Sequence, residues 1–455
     1  MDFSKSIKSS IVNNKLIKKG ERVGVAVSGG VDSMCLLYAF LKLKNEFDLS
    51  LFALHFEHGI RGEDSVNDAR FIKETCETLE IEYVMGKGDV PKIAEEKKQS
   101  IETAARNARY SFFESATKKY KLDKIALAHH LDDQAETIIL NLVRGSGTKG
   151  LTAMKDFRKP NYIRPMLSIL KTDILEYAEK ENIPYRIDKT NDDINFSRNK
   201  IRHNVLKELK EINENAALNL KRSSDIVKDD DDFLDTFVDE EFDKRVKIID
   251  GEVVISLLNW DKTHVAIKRR LIRKALEQHF SLIDVEFIHI EYIIDITQGL
   301  SGKRIEIGGG INASKAYEIL YIFKKEKKEK IYKALLVKDN ISFSINGYEF
   351  LTSILEKPKL CKASEVFDIE KLKDIVFRNA MPDDYIYPLG MNGKKKLTDY
   401  FCDIKIPLHK RQKVLLLAKG NEIVWVVGYG ISDNFKLSED TKKAFRISYN
   451  SRMIE

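Results

Sequence analysis

The chain is short of the residues that would staple it or specialise it chemically. Its four cysteines in 455 residues, Cys35, Cys76, Cys361 and Cys402, are scattered without a CxxC pair, so neither a zinc knuckle nor a disulfide framework is suggested. Proline is scarce at eight residues, and no apolar run approaches the roughly 20 residues that a membrane span needs. Met1-Asp2-Phe3-Ser4-Lys5 leads into a mixed basic and apolar stretch without a signal-peptide core. A cytoplasmic protein without a membrane partner is expected. What remains is globular material, with 43% apolar and 33% charged residues. A length of 455 exceeds one ordinary core and suggests roughly two to four domains. The net charge of +6 is compatible with a nucleic-acid partner and is weak evidence alone.

Up to about residue 215, short apolar strands alternate with helical patterns, which predicts an α/β domain with a parallel sheet. Strands are expected over residues 22–27, 50–56, 82–85 and 124–128, and helices over 33–44, 65–79, 92–120 and 132–144. Sheets of this kind bind ligands beyond the carboxyl ends of their strands. The polar clusters at 28–33, 55–61 and 129–136 fall at those ends, so one shared site is expected. Residues 216–340 read as mostly helical, with an acidic run at 229–232 and a charged stretch at 324–330, each taken as a solvated face or linker. Residues 341–455 turn strand-rich again and read as a small α+β domain.

Ser28-Gly29-Gly30-Val31-Asp32-Ser33 carries the first chemistry. It follows the apolar run 23–27 and opens a helix, so glycine permits close backbone approach and the helix start offers N–H groups to an anion. The hydroxyls of Ser28 and Ser33 add donors. Asp32 makes sense beside phosphate only with a divalent cation, since Mg²⁺ bridges carboxylates to phosphate oxygens. No lysine follows the glycines, so this is not a GxxxxGK[ST] loop. A plain Gly-Gly turn capped by Asp32 or Ser33 is the bland alternative.

Three more clusters sit nearby. His55-Phe56-Glu57-His58-Gly59-Ile60-Arg61-Gly62 lacks the spacing of a zinc motif and suits a nucleotide-pocket lining, or simply a polar loop. Arg106 and Arg109, three apart on a helix, share a face, and guanidinium forks suit phosphate; Arg106 is favoured over Arg109, for which an exposed, solvated role is equally good. In His129-His130-Leu131-Asp132-Asp133-Gln134-Ala135-Glu136-Thr137, Asp133 and Glu136 lie on one helix face and could hold an ammonium group, or else could serve the helix dipole. Residues 145–151 read as a mobile glycine loop.

The first of these strings resembles the SGGxDS loop of the N-type ATP pyrophosphatases. The succession SGGVDS, HFEHGIRGEDS, ETAARNARYSFF, AHHLDDQAET, RGSGTKGL, IRPML and NFSRNKIRHNVL resembles the tRNA(Ile)-lysidine synthetase family over about the first 210 residues. The stretch 387–401, with Lys394, Lys395 and Lys396, is similar to that family's terminal tRNA-binding domain. The resemblance implies an adenine nucleotide alpha hydrolase-like fold, and a ligase that adenylates C2–O of the wobble cytidine of tRNA(Ile) with a CAU anticodon and then lets lysine displace AMP. It further implies ATP on Ser28, Gly29, Gly30, Val31, Asp32, Ser33 and His55, Mg²⁺ on Asp32, and Arg106 on the α-phosphate. Free L-lysine would meet Asp133, Glu136 and Arg202, with His129 close by, and tRNA would meet Arg198, Lys394, Lys395 and Lys396. A homodimer is an open expectation. Departures are Glu57 in place of the usual asparagine, Asp188-Lys189-Thr190-Asn191 where a DxSN-like string is usual, and Met381-Pro382-Asp383-Asp384 without the glycine of a PGD turn. Rivals are a tRNA thiolase, for which paired cysteines are missing, and a non-catalytic tRNA-binding relative, against which Asp32, Asp133 and Glu136 stand.

Overall fold

The computed structural model describes residues 3–60, 62–187, 197–280, 285–324, 331–356, 364–391 and 393–451. Arg61, the string Asp188-Lys189-Thr190-Asn191, residues 325–330 and Asn392 therefore lie outside the described residues. The chain divides into two units, Met1–Phe233 and Leu234–Glu455. No helix among the described residues is long and apolar enough to cross a membrane.

The first unit runs α1 (Phe3–Asn13), β1 (Arg22–Ala26), α2 (Val31–Leu43), β2 (Ser50–Glu57), α3 (Glu63–Thr78), β3 (Glu82–Lys87), α4 (Val90–Glu96), α5 (Ile101–Tyr120), β4 (Lys124–Ala126), α6 (Leu131–Val143), α7 (Thr148–Leu151), β5 (Phe157–Arg158), β6 (Tyr162–Ile163), α8 (Lys171–Lys180), α9 (Ser197–Lys200), α10 (Leu206–Ile212) and the start of α11 (Ala216–Arg245). Its sheet has the order β3-β2-β1-β4-β6-β5, parallel except for β5. Strand order reverses beside β1, which pairs with β2 on one side and β4 on the other. This is the switch point at which open parallel sheets leave a crevice, and the segments after β1 and β4 open into it.

Local chemistry sets the boundaries. The helix expected over 92–120 is two helices, because Asp89 caps α4 through Lys92 N–H at 3.2 Å and Ser100 caps α5 through Thr103 N–H at 3.2 Å, with Lys98 left-handed between them. Each cap satisfies a first-turn donor that has no partner inside its helix. One face of the sheet buries Val23, Val25, Leu36, Leu37, Phe40, Ile72 and Ile174 against α1, α2, α3 and α8; the other buries Phe52, Leu54, Phe113 and Ile125 against α5. Residues 145–151 are not a free loop. Residues 148–151 form α7, tied by Asn141 Nδ2 to Gly150 O at 2.7 Å and by Thr148 Oγ1 to Asp231 Oδ1 at 2.7 Å. The acidic run 229–232 lies inside α11, and Asp231, which accepts that hydroxyl, is buried.

The second unit continues α11 and adds β7 (Val246–Ile249), β8 (Glu252–Ser256), α12 (Val265–His279), α13 (Phe287–Gln298), β9 (Arg304–Ile307), β10 (Ile311–Ala316) and β11 (Ile319–Lys324). Helix outweighs strand here as expected, yet the five strands form an antiparallel sheet, β7-β8-β11-β10-β9, that periodicity did not reveal. Val253, Ile255 and Ile322 pack there on Leu271, Ile272 and Ile293. Then follow β12 (Tyr332–Ala334), β13 (Ser342–Ile345), β14 (Tyr348–Leu355), β15 (Ser364–Asp368), β16 (Ile375–Arg378), β17 (Tyr385–Ile386), β18 (Lys395–Lys396), α14 (Leu397–Asp403), α15 (Leu408–Arg411), β19 (Leu416–Lys419), β20 (Glu422–Val426), β21 (Gly430–Ile431) and β22 (Ala444–Ser451). They make a seven-stranded and a four-stranded sheet around Phe350, Phe367, Phe377 and Trp425.

The turn that lacks the PGD glycine is held by charge. Asp384 accepts from Met381 N–H at 2.7 Å and from both terminal nitrogens of the buried Arg378 at 2.7 and 2.6 Å. Removing one partner of such a buried pair strands the other charge and costs about 3–5 kcal/mol. Asp384→Ala is therefore expected to lower the unfolding free energy of this unit by about that amount. Urea titration followed by tryptophan fluorescence reads it directly, since both tryptophans, Trp260 and Trp425, lie in this unit.

Candidate active site

Between β1 and α2 the chain must turn sharply, and Gly29 does so at φ +88°, where a side chain would be strained. The loop is then fixed from within. Ser28 N–H donates to Ser33 Oγ at 3.1 Å, Ser33 Oγ donates to Gly30 O at 3.0 Å, and Arg186 N–H donates to Gly29 O at 2.9 Å. The buried His55 holds Val27 O through Nδ1 at 2.9 Å, and burial pushes its basicity below the ordinary value. His55 therefore buttresses the loop from β2. The first-turn N–H groups of α2 have no partner within the helix, as at any helix start, which makes an anion cradle.

Asp32 stands at the mouth of this cradle and pairs with Lys171 Nζ at 2.5 Å. Lys171 opens α8 and was missed in the sequence, where a lone lysine after IRPML carries no signal. His130 Nε2 lies 3.9 Å from Asp32 Oδ2 and 3.6 Å from Asp133 Oδ2, so the imidazole sits between the two carboxylates. Beneath the loop, burial pushes the Cys35 thiol up to about 12, and the Cys76 thiol up to about 11. Neither is a nucleophile at neutral pH, and Cys361 lies outside the described residues.

Beyond β4, α6 carries both acids expected of an ammonium site. Glu136 is fully buried and Asp133 nearly so. Arg198 Nε donates to Glu136 at 2.7 Å and its Nη2 to Asp133 at 3.1 Å; Arg202 Nε donates to Glu136 at 2.5 Å and its Nη2 to Asp133 at 3.2 Å. Two carboxylates thus meet two guanidinium groups. Arg198 was expected on tRNA, and the structure instead brings it to the same carboxylates as Arg202. The physical reason is that buried carboxylates need cationic partners, and α9 with the π-turn Ile201–Val205 after it presents both arginines to α6. Burial alone would raise the Asp133 carboxyl, but His130, Arg198 and the His130 N–H at 3.0 Å hold it down at about 2. Burial, aided by Arg164, Arg198 and Arg109, drives His129 down to about 3 against the pull of Asp133. Its Nδ1 is buried without a partner.

The two α5 arginines diverge. Arg106 is exposed, with its guanidinium 5.4 Å from the Tyr110 ring centroid. Arg109, weighed less strongly in the sequence, turns inward beside His129 and Arg198; its Nε is buried and unpartnered, and burial lowers its basicity. Glu57 is buried and pairs with Lys87 at 3.3 Å, so it serves β3 and not an open pocket.

The order of these elements matches known families. Residues 2–209 fit the PP-loop domain model, and residues 375–449 fit the model of the TilS substrate C-terminal domain. The tRNA(Ile)-lysidine synthase of Clostridium tetani is 36% identical over 451 residues, covering 96% of both chains, and that of Clostridium acetobutylicum is 36% identical over 456 residues, covering 96% of this chain and 97% of its own. The protein belongs to the tRNA(Ile)-lysidine synthase family. A third member, from Caldanaerobacter subterraneus subsp. tengcongensis, is 34% identical over 97% of this chain and 96% of its own. The ATP-using PP-loop domain of this family thus contains the whole of the site described above. In its C-terminal part the three lysines differ: Lys395 is paired with Asp403, Lys394 lies 5.3 Å from the Tyr385 ring centroid, and Lys396 is exposed.

The two depressed groups set an acid limit. His129 resists the proton that its unfolded form binds below its ordinary 6.5, so its contribution to stability is lost from about pH 6.5 down to about 3. Asp133 contributes fully above its ordinary 3.8 and loses this as pH falls through about 2. His129→Gln is expected to flatten the decline in stability between pH 6.5 and 4, and imidazole NMR is expected to show His129 neutral at pH 5; a protonated His129 at pH 5 contradicts the assignment.

Proposed function

We propose that this chain makes lysidine. The C2 oxygen of the wobble cytidine in a CAU-anticodon isoleucine tRNA attacks the α-phosphorus of ATP and expels pyrophosphate. The lysine ε-amine then attacks C2, and AMP leaves with the former C2 oxygen, which changes codon specificity from AUG to AUA. The observation that carries this reading is a buried carboxylate pair, Asp133 and Glu136, next door to a PP-loop cradle. One half suits phosphate and the other suits an ammonium ion.

In this reading Ser28, Gly29, Gly30, Val31 and Ser33 hold the pyrophosphate portion of ATP, with His55 bracing them. Lys171 moves from Asp32 to phosphate when the nucleotide arrives. Asp32 then faces Mg²⁺; a single half-exposed carboxylate beside an anion cradle fits an ion that takes most of its ligands from phosphate and water. Bound there, Mg²⁺ would offset charge on the phosphate oxygens. Arg109 is the better placed arginine for the α-phosphate, since its unpartnered Nε lies inside the site. Free L-lysine enters against Asp133 and Glu136, where its ammonium replaces guanidinium charge from Arg198 or Arg202. A neutral His129 lies beside this pair and adds no further positive charge to it. Residues 1–215 would act as the catalytic domain, 216–340 and 341–455 as substrate-binding parts, with Lys394 and Lys396 free to meet tRNA phosphate; Mg²⁺, free lysine, a cytoplasmic setting and a homodimer belong to this same proposal. Sulfur transfer is disfavoured by the buried, high-pKa thiols of Cys35 and Cys76.

The test is to incubate the purified protein with ATP, Mg²⁺, lysine and the CAU isoleucine tRNA. Nucleoside mass spectrometry is expected to show lysidine, with AMP and pyrophosphate released in equal amounts; unmodified cytidine alongside an active control enzyme would refute the proposal. Arg109→Ala is expected to lower kcat for adenylation by about 100-fold, the scale of losing one aimed donor at developing charge. Arg106→Ala is expected to act mainly on the KM for tRNA, and an equal fall in kcat for both variants would reject this division of labour.

A further inference from the structure

A concentration of positive charge on the outer face of α5 is not used by the chemistry above. Arg106 and Arg158 lie 5.4 and 5.3 Å from the centroid of the same Tyr110 ring, and Tyr110 packs edge-on against Tyr162 with centroids 5.0 Å apart. Behind them sits Arg164, only 4% exposed, whose Nη1 donates to Lys155 O at 2.8 Å while its Nε is buried without a partner. Among the described residues, Arg106, Arg158 and Lys159 make no ion pair with any carboxylate. Glu114 is the one acid lining the hollow of about 320 Å³ that Arg106, Tyr110, Arg158 and Lys159 enclose. A second hollow of about 390 Å³ adjoins it and shares Asn107 and Ser111. Like charges gathered around an aromatic ring repel one another, and a fold keeps such a group stable when an anion is its normal companion.

An anionic strand with flat bases fits this surface on both counts. Single-stranded RNA loops are recognised by stacking bases on aromatic rings and guanidinium planes, with cations along the backbone. Arg106 and Arg109 are three residues apart, about 4.5 Å along the axis of α5, so the hollow opens within one helical turn of the arginine that faces the adenylation site. We infer that the Arg106–Tyr110–Arg158 cluster with Lys159 is a docking groove for the anticodon-loop nucleotides beside the target cytidine, stacking a base and pairing the adjoining phosphates. The inference rests on the proposed tRNA substrate and adds the strand path on the catalytic unit. Lys159 and Arg158, both exposed, provide phosphate contacts, while Arg106 and Arg158 offer planes to a base.

The experiment uses the full chain with Arg158→Glu and Lys159→Glu together, and a milder Arg158→Gln, Lys159→Gln pair in case charge reversal prevents folding. Fluorescence anisotropy is read with the CAU isoleucine tRNA and with its isolated anticodon stem-loop over a range of salt. Expected are at least a tenfold loss of affinity for both RNAs, a salt slope shallower by about 1 to 2, and a raised KM for tRNA with an unchanged KM for ATP. Wild-type affinity and salt slope in a folded variant would overturn the groove, as would a raised KM for ATP with unaltered tRNA binding. If the wild type binds the stem-loop through this groove yet yields no lysidine, the groove stands and the proposed reaction falls.

Discussion

Two carboxylates buried at the start of one helix constrain the first unit more than any other feature. Asp133 and Glu136 on α6 are nearly or fully removed from water, and an ionised carboxylate in that position is tolerable only with cations against it. Arg198 and Arg202 supply the cations from a segment more than 60 residues further along the chain. The pair therefore fixes where α9 and its π-turn must lie, while Asp133 is held ionised and His129 is left neutral between positive neighbours. An arrangement that needs positive charge, and can take it from different donors, is well suited to accept a cationic substrate.

The parallel sheet brings this site to the nucleotide. Because strand order reverses beside β1, the segments after β1 and β4 open into one crevice, and His130 reaches both Asp32 and Asp133 across it. Activation of an oxygen by ATP and attack by an amine require these two environments to be adjacent and chemically opposite. The cradle on α2 attracts anions through unsatisfied N–H groups, and the α6 acids attract cations. Lys171 on Asp32 and the arginines on Asp133 and Glu136 show each half neutralised by the chain's own charges.

Much of the first unit was legible in the sequence because its signals are local. The apolar β-branched run 23–27, the glycines after it and the acids three apart on α6 each follow from short-range periodicity and backbone freedom. What depends on distant partners was not legible. Lys171 meets Asp32 only because α8 packs beside α2, and Arg198 was expected on tRNA because spacing cannot say which acid a guanidinium will meet. For Arg109 an exposed role was as good as a phosphate contact, yet it turns inward beside His129 and Arg198. The middle sheet escaped notice for a similar reason: strands as short as β7 and β9 alternate too briefly to stand out beside α12 and α13. The single helix expected over 92–120 failed on capping, since Ser100 restarts the helix where the apolar period runs on.

In the proposed reaction the buried acids serve the second chemical step and not the first. Rapid-quench measurement of label from [α-³²P]ATP on tRNA tests it most directly in Glu136→Gln, which keeps the shape and removes the charge. The account predicts that labelled, adenylated tRNA forms at close to the wild-type rate and accumulates while lysidine formation falls by about 100-fold, as for loss of a group that positions the amine. Label that never reaches tRNA, or lysidine made at the wild-type rate, would contradict it.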